Sequence, residues 1–364
     1  MEIIRVLVVD DSAFMRKLIR SFLDEHPRIT VIDTARNGQE AVEKAMQLQP
    51  DVITMDVEMP VKNGLDAVSE VMEKSPCAII MLSSVTKKGA ELTLDAMQRG
   101  AMEVVQKPSG SISLDLELCK DELIEKVLNA PFANPLPRPR REQRFVAVQD
   151  EKRTSKDSAL KKTADVVLIG TSTGGPKALS AIIPKLPKNF PVPICIVQHM
   201  PPGFTDSLAK RLNMQSELQV KEASHGELMK AGSVYIAPGG KHVLIEKVGH
   251  ALALSLSQTP VHKHCPSVDV LYQSAANIPG LKTISVILTG MGKDGLDGVK
   301  ALRKQRDHYC IAQSKRTSVI HGMPGAIIQA GLHDDETDLE HIARTLCQTL
   351  LPAGGRSNGN EPIS

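Results

Sequence analysis

The chain has no tryptophan, and aromatic residues make up only 2% of its 364 positions. Surfaces that hold single-stranded nucleic acid need aromatic faces on which bases stack, so that class of function is disfavoured at the outset. No excess of one charge exists either. The formal net charge of +2 is too small for a general polyanion-binding surface. The six cysteines, Cys77, Cys119, Cys195, Cys265, Cys310 and Cys347, form no C-x-x-C pair. Their scatter reads as free thiols in a reducing compartment. No apolar run approaches the ~18 residues that a membrane helix needs. The opening MEIIRVLVVDD turns acidic too early for a signal peptide. The expectation is a cytoplasmic protein with no direct membrane insertion.

What is present fits a soluble globular chain of about two domains. Hydrophobic residues are 41% and charged residues 24%, enough to bury sizeable cores. The stretch around which the chain is organised runs from Asp165 to Pro176, DVVLIGTSTGGP. Val166 to Ile169 read as a strand buried on both faces. Small residues and Pro176 then mark a helix start. Gly170-Thr171-Ser172-Thr173-Gly174 fits G-x-S-x-G, a strand-to-helix elbow that lifts a serine hydroxyl out of the backbone. The amide of Thr173 is then placed to stabilise an oxyanion. The same turn could cradle phosphate, but no lysine follows Gly174-Gly175 as a Walker loop requires, and G-x-G-x-x-G does not fit. A plain tight turn is the other alternative.

The N-terminal third alternates five short apolar runs with five helical patterns, which predicts a doubly wound parallel sheet. Ligands of such sheets collect beyond the carboxyl ends of the strands. Asp10 and Asp11 end the first strand, Asp56 the third, Ser83 the fourth and Lys107 the fifth. Clustered carboxylates of this kind suit Mg²⁺, and a carboxylate beside Mg²⁺ and a lysine is suited to accept a phosphoryl group. Ser83 can hydrogen-bond the new phosphate. These residues, in VVDDS, TMDVEMPVKNG, MLSS and QKP, make residues 3 to about 125 similar to the receiver domain of two-component response regulators. The resemblance implies a flavodoxin-like sheet and phosphorylation of Asp56 by a partner histidine kinase. It also implies Mg²⁺ held by Asp10, Asp11, Asp56 and the backbone carbonyl of Glu58, and a cis bond at Lys107-Pro108.

Composition changes after Asn129. Pro131, Pro135, Pro137 and Pro139 stand near Arg138, Arg140, Arg141 and Arg144, and a polar stretch follows to Thr163. This reads as a linker, extended and then flexible. Touching nucleic acid or an acidic surface is the weaker reading of its basic run, and no DNA-reading element follows. The expected organisation is a receiver over 1–128, a linker over 129–163, a second α/β domain over 164–350 and a disordered tail over 351–364.

In the second domain, PVPICIVQHM is a buried strand ending at His199, and ISVILTGMGKDG one ending in a glycine-rich turn that carries Asp294. Ser172, His199 and Asp294 thus each follow a buried strand on its carboxyl side, where three side chains can meet as nucleophile, base and acid. The amide of Met291 is a candidate second oxyanion donor. The order serine, histidine, aspartate differs from that of the α/β-hydrolases, and His308, His321 or His333 as base would restore it. Asp294 could simply cap a helix. His262, His264 and Cys265 lie near one another, without regular metal-ligand spacing.

The motifs IGTSTGGP, QHMPPGFT, APGGKHV, CPSVDVL, ILTGMGKDG and VIHGMPGA make residues 165 to about 350 similar to the catalytic domain of the CheB family of chemotaxis methylesterases. The resemblance implies a serine hydrolase with Ser172, His199 and Asp294 as its triad and the Thr173 and Met291 amides at the oxyanion. Its reaction would remove methyl groups from glutamate methyl esters on chemoreceptors, with deamidation of receptor glutamines as a further activity and no cofactor for the ester chemistry. The unphosphorylated receiver would cover the active site. Two positions depart from the family pattern. Ser314 stands where many relatives carry an acid, and Gly325 where a basic residue is common. The alternative reading is a switch that acts by partner binding through a catalytically silent hydrolase-like domain.

Overall fold

Strands made of unbroken Val, Ile and Leu are stable only between two layers of helices, and both halves of the chain are built that way. The computed structural model describes residues 3–84, 86–108, 113–133, 163–260, 262 and 264–351. Almost all of the expected linker and tail lies outside the described residues.

The first half runs β1 (Ile4–Val9), α1 (Ala13–Asp24), β2 (Ile29–Ala35), α2 (Gly38–Leu48), β3 (Val52–Asp56), α3 (Gly64–Lys74), β4 (Ala78–Ser83), α4 (Lys87–Arg99), β5 (Glu103–Gln106) and α5 (Ser113–Asn129). Its sheet is parallel, with strand order β2-β1-β3-β4-β5. The helices start where a short polar side chain takes up an orphan amide. Ser12 accepts from Met15, Asn37 from Glu40, Asn63 from Asp66 and Thr86 from Gly89.

The second half runs β6 (Val166–Thr171), α6 (Gly175–Ile182), β7 (Ile194–Gln198), α7 (Phe204–Gln215), β8 (Gln219–Glu222), β9 (Glu227–Leu228), β10 (Ser233–Ile236), β11 (His242–Val248), β12 (Ala251–Ser257) and α8 (Val268–Ala276), and then β13 (Thr283–Ile287), α9 (Leu296–Leu302), β14 (His308–Gln313), α10 (Met323–Gln329), β15 (Asp335–Thr337) and α11 (Leu339–Leu350). Seven parallel strands lie in the order β15-β14-β13-β6-β7-β10-β8, and β11, β12 and β9 form a small antiparallel sheet. β6 is central and buried throughout. Val166, Val167, Leu168 and Ile169 are wholly excluded from water, each worth about 1.5–3 kcal/mol. The turn that follows β6 is therefore anchored at the best-packed point of the domain. The chain leaves β6 towards β7 on one side and returns through β13 on the other, so its switch point lies beside Ser172.

Four short strands, β8, β9, β14 and β15, and helix α10 are not evident in the sequence. β14 is HYCIAQ, whose ends are polar, and α10 is MPGAIIQ, which carries both proline and glycine. Local patterning is weak in both, and tertiary packing decides them. The expected cis bond at Lys107-Pro108 is not found. Thr259-Pro260 and Cys265-Pro266 are the cis bonds of the described residues. The two X-Pro forms differ little in energy, so surroundings select between them.

The two halves touch. α4 packs against α6 and α7. Val319 and Ile320 of the second half join a hydrophobic cluster with Met102, Val105 and Leu123 of the first.

Candidate active site

Ser172 sits in the turn between β6 and α6 and is 8% exposed. Its amide donates to the Thr289 carbonyl (3.1 Å), and its carbonyl accepts from the Gly175 amide (2.7 Å) and Gln198 Nε2 (2.9 Å). A Cβ at Gly175 would lie 1.8 Å from Gln198 Oε1, so only glycine lets the elbow close this tightly.

β7 and β13 are the two neighbours of β6, which brings their carboxyl ends together. His199 follows β7, and its amide donates to the Thr171 carbonyl at 3.2 Å. Asp294 follows β13, and its Oδ2 lies 2.8 Å from His199 Nε2. With Nε2 turned to the carboxylate, Nδ1 is the nitrogen left to serve Ser172. No hydrogen bond joins Ser172 Oγ to His199 among the described residues. Such bonds are often long in the free enzyme and tighten with substrate.

Asp294 is held by the start of α8. Ser267 Oγ and the Asp269 amide donate to Oδ1 (both 2.9 Å), and the Val268 amide donates to Oδ2 (2.8 Å). Burial alone would raise this carboxyl. The His199 imidazole and the two amides outweigh burial and hold it far below the usual carboxylate range. The site thus keeps a full negative charge beside His199, which is what an imidazolium needs as it forms.

Among the described residues, no hydrogen bond uses the amides of Thr173 or Met291, so both are open to an oxyanion. The Thr173 side chain points elsewhere. Its Oγ1 donates to Glu103 Oε2 at 2.6 Å, across to the first half of the chain. Nearby, Arg211 of α7 pairs with Asp95 (2.5 Å) and Gln98 (2.7 Å) of α4. Met97, Ala101 and Met102 face Gly174, Pro176, Lys177 and Val319 around a space of only about 10 Å³. The first half therefore lies directly on the rim that carries Ser172.

The rival histidines are placed elsewhere. His308 begins β14 and hydrogen-bonds Thr283 and Ser285. It is at the amino end of its strand, the wrong edge of the sheet. Among the described residues, neither His321 nor His333 hydrogen-bonds Asp294, whose imidazole partner is His199. Atoms of His262, Asp269 and Asp294 lie within 4.8 Å of one another. All four hydrogen bonds to Asp294 are already made, so a metal there would have to displace them. His264 stacks on His199 instead, with ring centroids 4.5 Å apart. Ser314 donates to Asp338. Gly325 lies under His321, where a Cβ would come within 3.0 Å of Nδ1.

In the first half, Lys107 Nζ reaches both Asp10 Oδ2 (2.7 Å) and Asp56 Oδ2 (2.8 Å). Burial raises the Asp56 carboxyl and the Asp10 charge adds to this, while Lys107 opposes both. Oxygens of Asp10, Asp11 and Asp56 lie within 4.8 Å of one another. Asp10 Oδ2, although close to Lys107, is buried without a well-directed hydrogen bond. A hard divalent cation fits such a set. A cavity of about 160 Å³ opens beside Asp56, lined by Glu58, Ser83, Ser84, Gly89 and Lys107. The Glu58 side chain is turned to Lys88 (2.6 Å).

Sequence reasoning did not find Glu103, Gln198 or Asp269. Each acts on a residue distant in the chain, and no local pattern marks such a contact. Ser267 was legible as a helix start, but not as a donor to Asp294.

Residues 167–346 match the family described as CheB methylesterase, and residues 6–117 match the response regulator receiver domain. A protein-glutamate methylesterase/protein-glutamine glutaminase of Geobacillus kaustophilus is 48% identical over 353 residues, covering 96% of this chain and 99% of that protein. The Bacillus subtilis protein of the same name is 46% identical over 350 residues, covering 94% and 97%. The solved catalytic domain of Thermotoga maritima CheB methylesterase is 46% identical with a TM-score of 0.50, covering 52% of this chain and all of that domain. In extent and identity alike, the chain belongs to the CheB methylesterase family, in the arrangement that joins a response regulator receiver domain to the catalytic domain.

Proposed function

We propose that Ser172, His199 and Asp294 are the nucleophile, base and acid of a protein-glutamate methylesterase that acts on methylated chemoreceptors in the cytoplasm. The observation that carries this reading is the 2.8 Å contact of His199 with Asp294, on strands that flank the one bearing Ser172. Ser172 Oγ attacks the ester carbonyl while His199 Nδ1 takes its proton. The tetrahedral oxyanion is met by the Thr173 and Met291 amides. His199 then protonates the departing methoxide, which leaves as methanol, and water repeats the cycle to release glutamate. A glutamine side chain would follow the same path with ammonia as leaving group, which accounts for deamidation.

Asp56 is the residue proposed to take a phosphoryl group from a histidine kinase, with Lys107 and Ser83 on the phosphoryl oxygens. Asp10, Asp11, Asp56 and the Glu58 carbonyl would hold Mg²⁺, which when bound neutralises charge on those oxygens. The contact of Thr173 with Glu103 supports a receiver that blocks the esterase until phosphorylated. The test is methanol release from methylated receptor, with and without a phosphodonor and Mg²⁺. Ser172→Ala should abolish release, by at least about a thousandfold, with folding intact. Retained release removes Ser172 from the mechanism.

A further inference from the structure

Asp269 stands in the first turn of α8. An acid there ordinarily answers the amides of its own helix. Here those amides are given to Asp294, and the Asp269 carboxylate turns the other way. Its Oδ1 accepts from the amides of Gly295 (3.0 Å) and Gly298 (2.6 Å), directly after Asp294. Its own amide donates to Asp294 Oδ1 at 2.9 Å. The two aspartates therefore grip each other's backbone. The start of α8 holds the Asp294 side chain, and the Asp269 side chain holds the turn from which Asp294 springs.

We infer that Asp269 is a positioning residue of the triad, fixing the Asp294 turn through the Gly295 and Gly298 amides. This rests on the esterase reading above. The groups that face Asp269 are His262 from the loop before α8, and Asp294 and Asp297 from the turn and start of α9. His199 lies behind Asp294, and His264 behind His199. Burial, joined by the charge on Asp294, pushes the Asp269 carboxyl up to about 6. Below that pH Asp269 is neutral. It then accepts more weakly from the two amides and competes with His199 for Asp294. Activity falls as pH falls through this range, and Asp269 adds one proton to the acid limb.

Two substitutions separate these effects. Asparagine keeps an acceptor oxygen and loses the titration, whereas alanine loses both. The measurement is kcat and KM for methanol release by the full-length phosphorylated protein between about pH 5 and pH 9. Asp269→Ala should lose at least about tenfold in kcat with KM within about twofold. Asp269→Asn should keep kcat within about threefold on the alkaline plateau. Its acid limb should be shallower than that of wild type by one proton. Asp269→Ala as fast as wild type, Asp269→Asn as slow as Asp269→Ala, or an Asp269→Asn limb as steep as that of wild type each overturns the assignment. Should Asp269→Ala fail to fold, the Asp269→Asn profile decides alone. A wild type that releases no methanol overturns the esterase reading, and this assignment with it. An active wild type matched by Asp269→Ala overturns this assignment only.

Discussion

Thr173 donates its hydroxyl hydrogen to Glu103 at 2.6 Å, so the residue that follows Ser172 is tied to the last strand of the receiver. Glu103 is 3% exposed. A hydrogen bond to a buried carboxylate is worth about 1.5–3 kcal/mol. Glu103→Ala should therefore raise the unphosphorylated esterase rate about tenfold or more, towards that of a protein lacking residues 1–150. Lys126 keeps Glu122 as a partner (2.7 Å), so the receiver should still fold. An unphosphorylated Glu103→Ala protein as slow as wild type, beside a fast truncated one, would rule out this contact as the block.

Arg211 makes another polar link between the halves, but the Asp95 side chain it meets is 44% exposed. Exposed pairs contribute about 1 kcal/mol or less. Arg211→Ala should raise the basal rate by no more than about fivefold, and the rise should shrink in high salt. A larger effect than that of Glu103→Ala would mean the helix contact dominates.

Gly290 lies against Ser172, the proposed nucleophile. A Cβ there would be 2.9 Å from Ser172 Cβ and 2.3 Å from Met323 Sδ. Methionine can bend away, but the backbone of the elbow cannot. Gly290→Ala should cost about 1–3 kcal/mol of stability and lower kcat by about a hundredfold, since small misplacements of a nucleophile are costly. Thermal melting and single-turnover rates check the two effects separately. Normal turnover would show that the elbow has more give than its packing suggests.

Asp56 titrates above the ordinary carboxylate value of 3.8, so charging it works against the fold. That cost appears as pH rises past the ordinary value and is complete above the folded one. At neutral pH without divalent cations, Asp56→Asn should melt a few degrees higher than wild type. Added Mg²⁺ should stabilise wild type more than the variant. Differential scanning calorimetry across a Mg²⁺ titration measures both, and a variant that melts lower contradicts the argument.

β6, β7 and β13 were legible as short apolar runs ending in Gly, His and a glycine-rich turn, because strands buried on both faces leave an unbroken signature. Their adjacency in the sheet was not, since β6 pairs with β13 across more than a hundred residues as well as with the nearby β7. β14 escaped notice because its ends are polar. The grip of α8 on Asp294 escaped because Ser267 looks in sequence like any helix-starting serine, and the inter-domain bond because Glu103 looks like any strand acid. The receiver site was more legible. Asp10, Asp56, Ser83 and Lys107 all stand at strand ends on one edge, and the structure sets Asp56, Ser83 and Lys107 round one small cavity, with Asp10 paired to Lys107.

β5 is four residues long, with Glu103 at one end and Lys107 just past the other. At about 3.3 Å per residue, the two side chains are mounted roughly 13 Å apart on one extended rod. The lysine paired with Asp56 and the carboxylate bonded to Thr173 are thus handles on the same short bar. On the proposed reading, input and output stand a single strand's length apart.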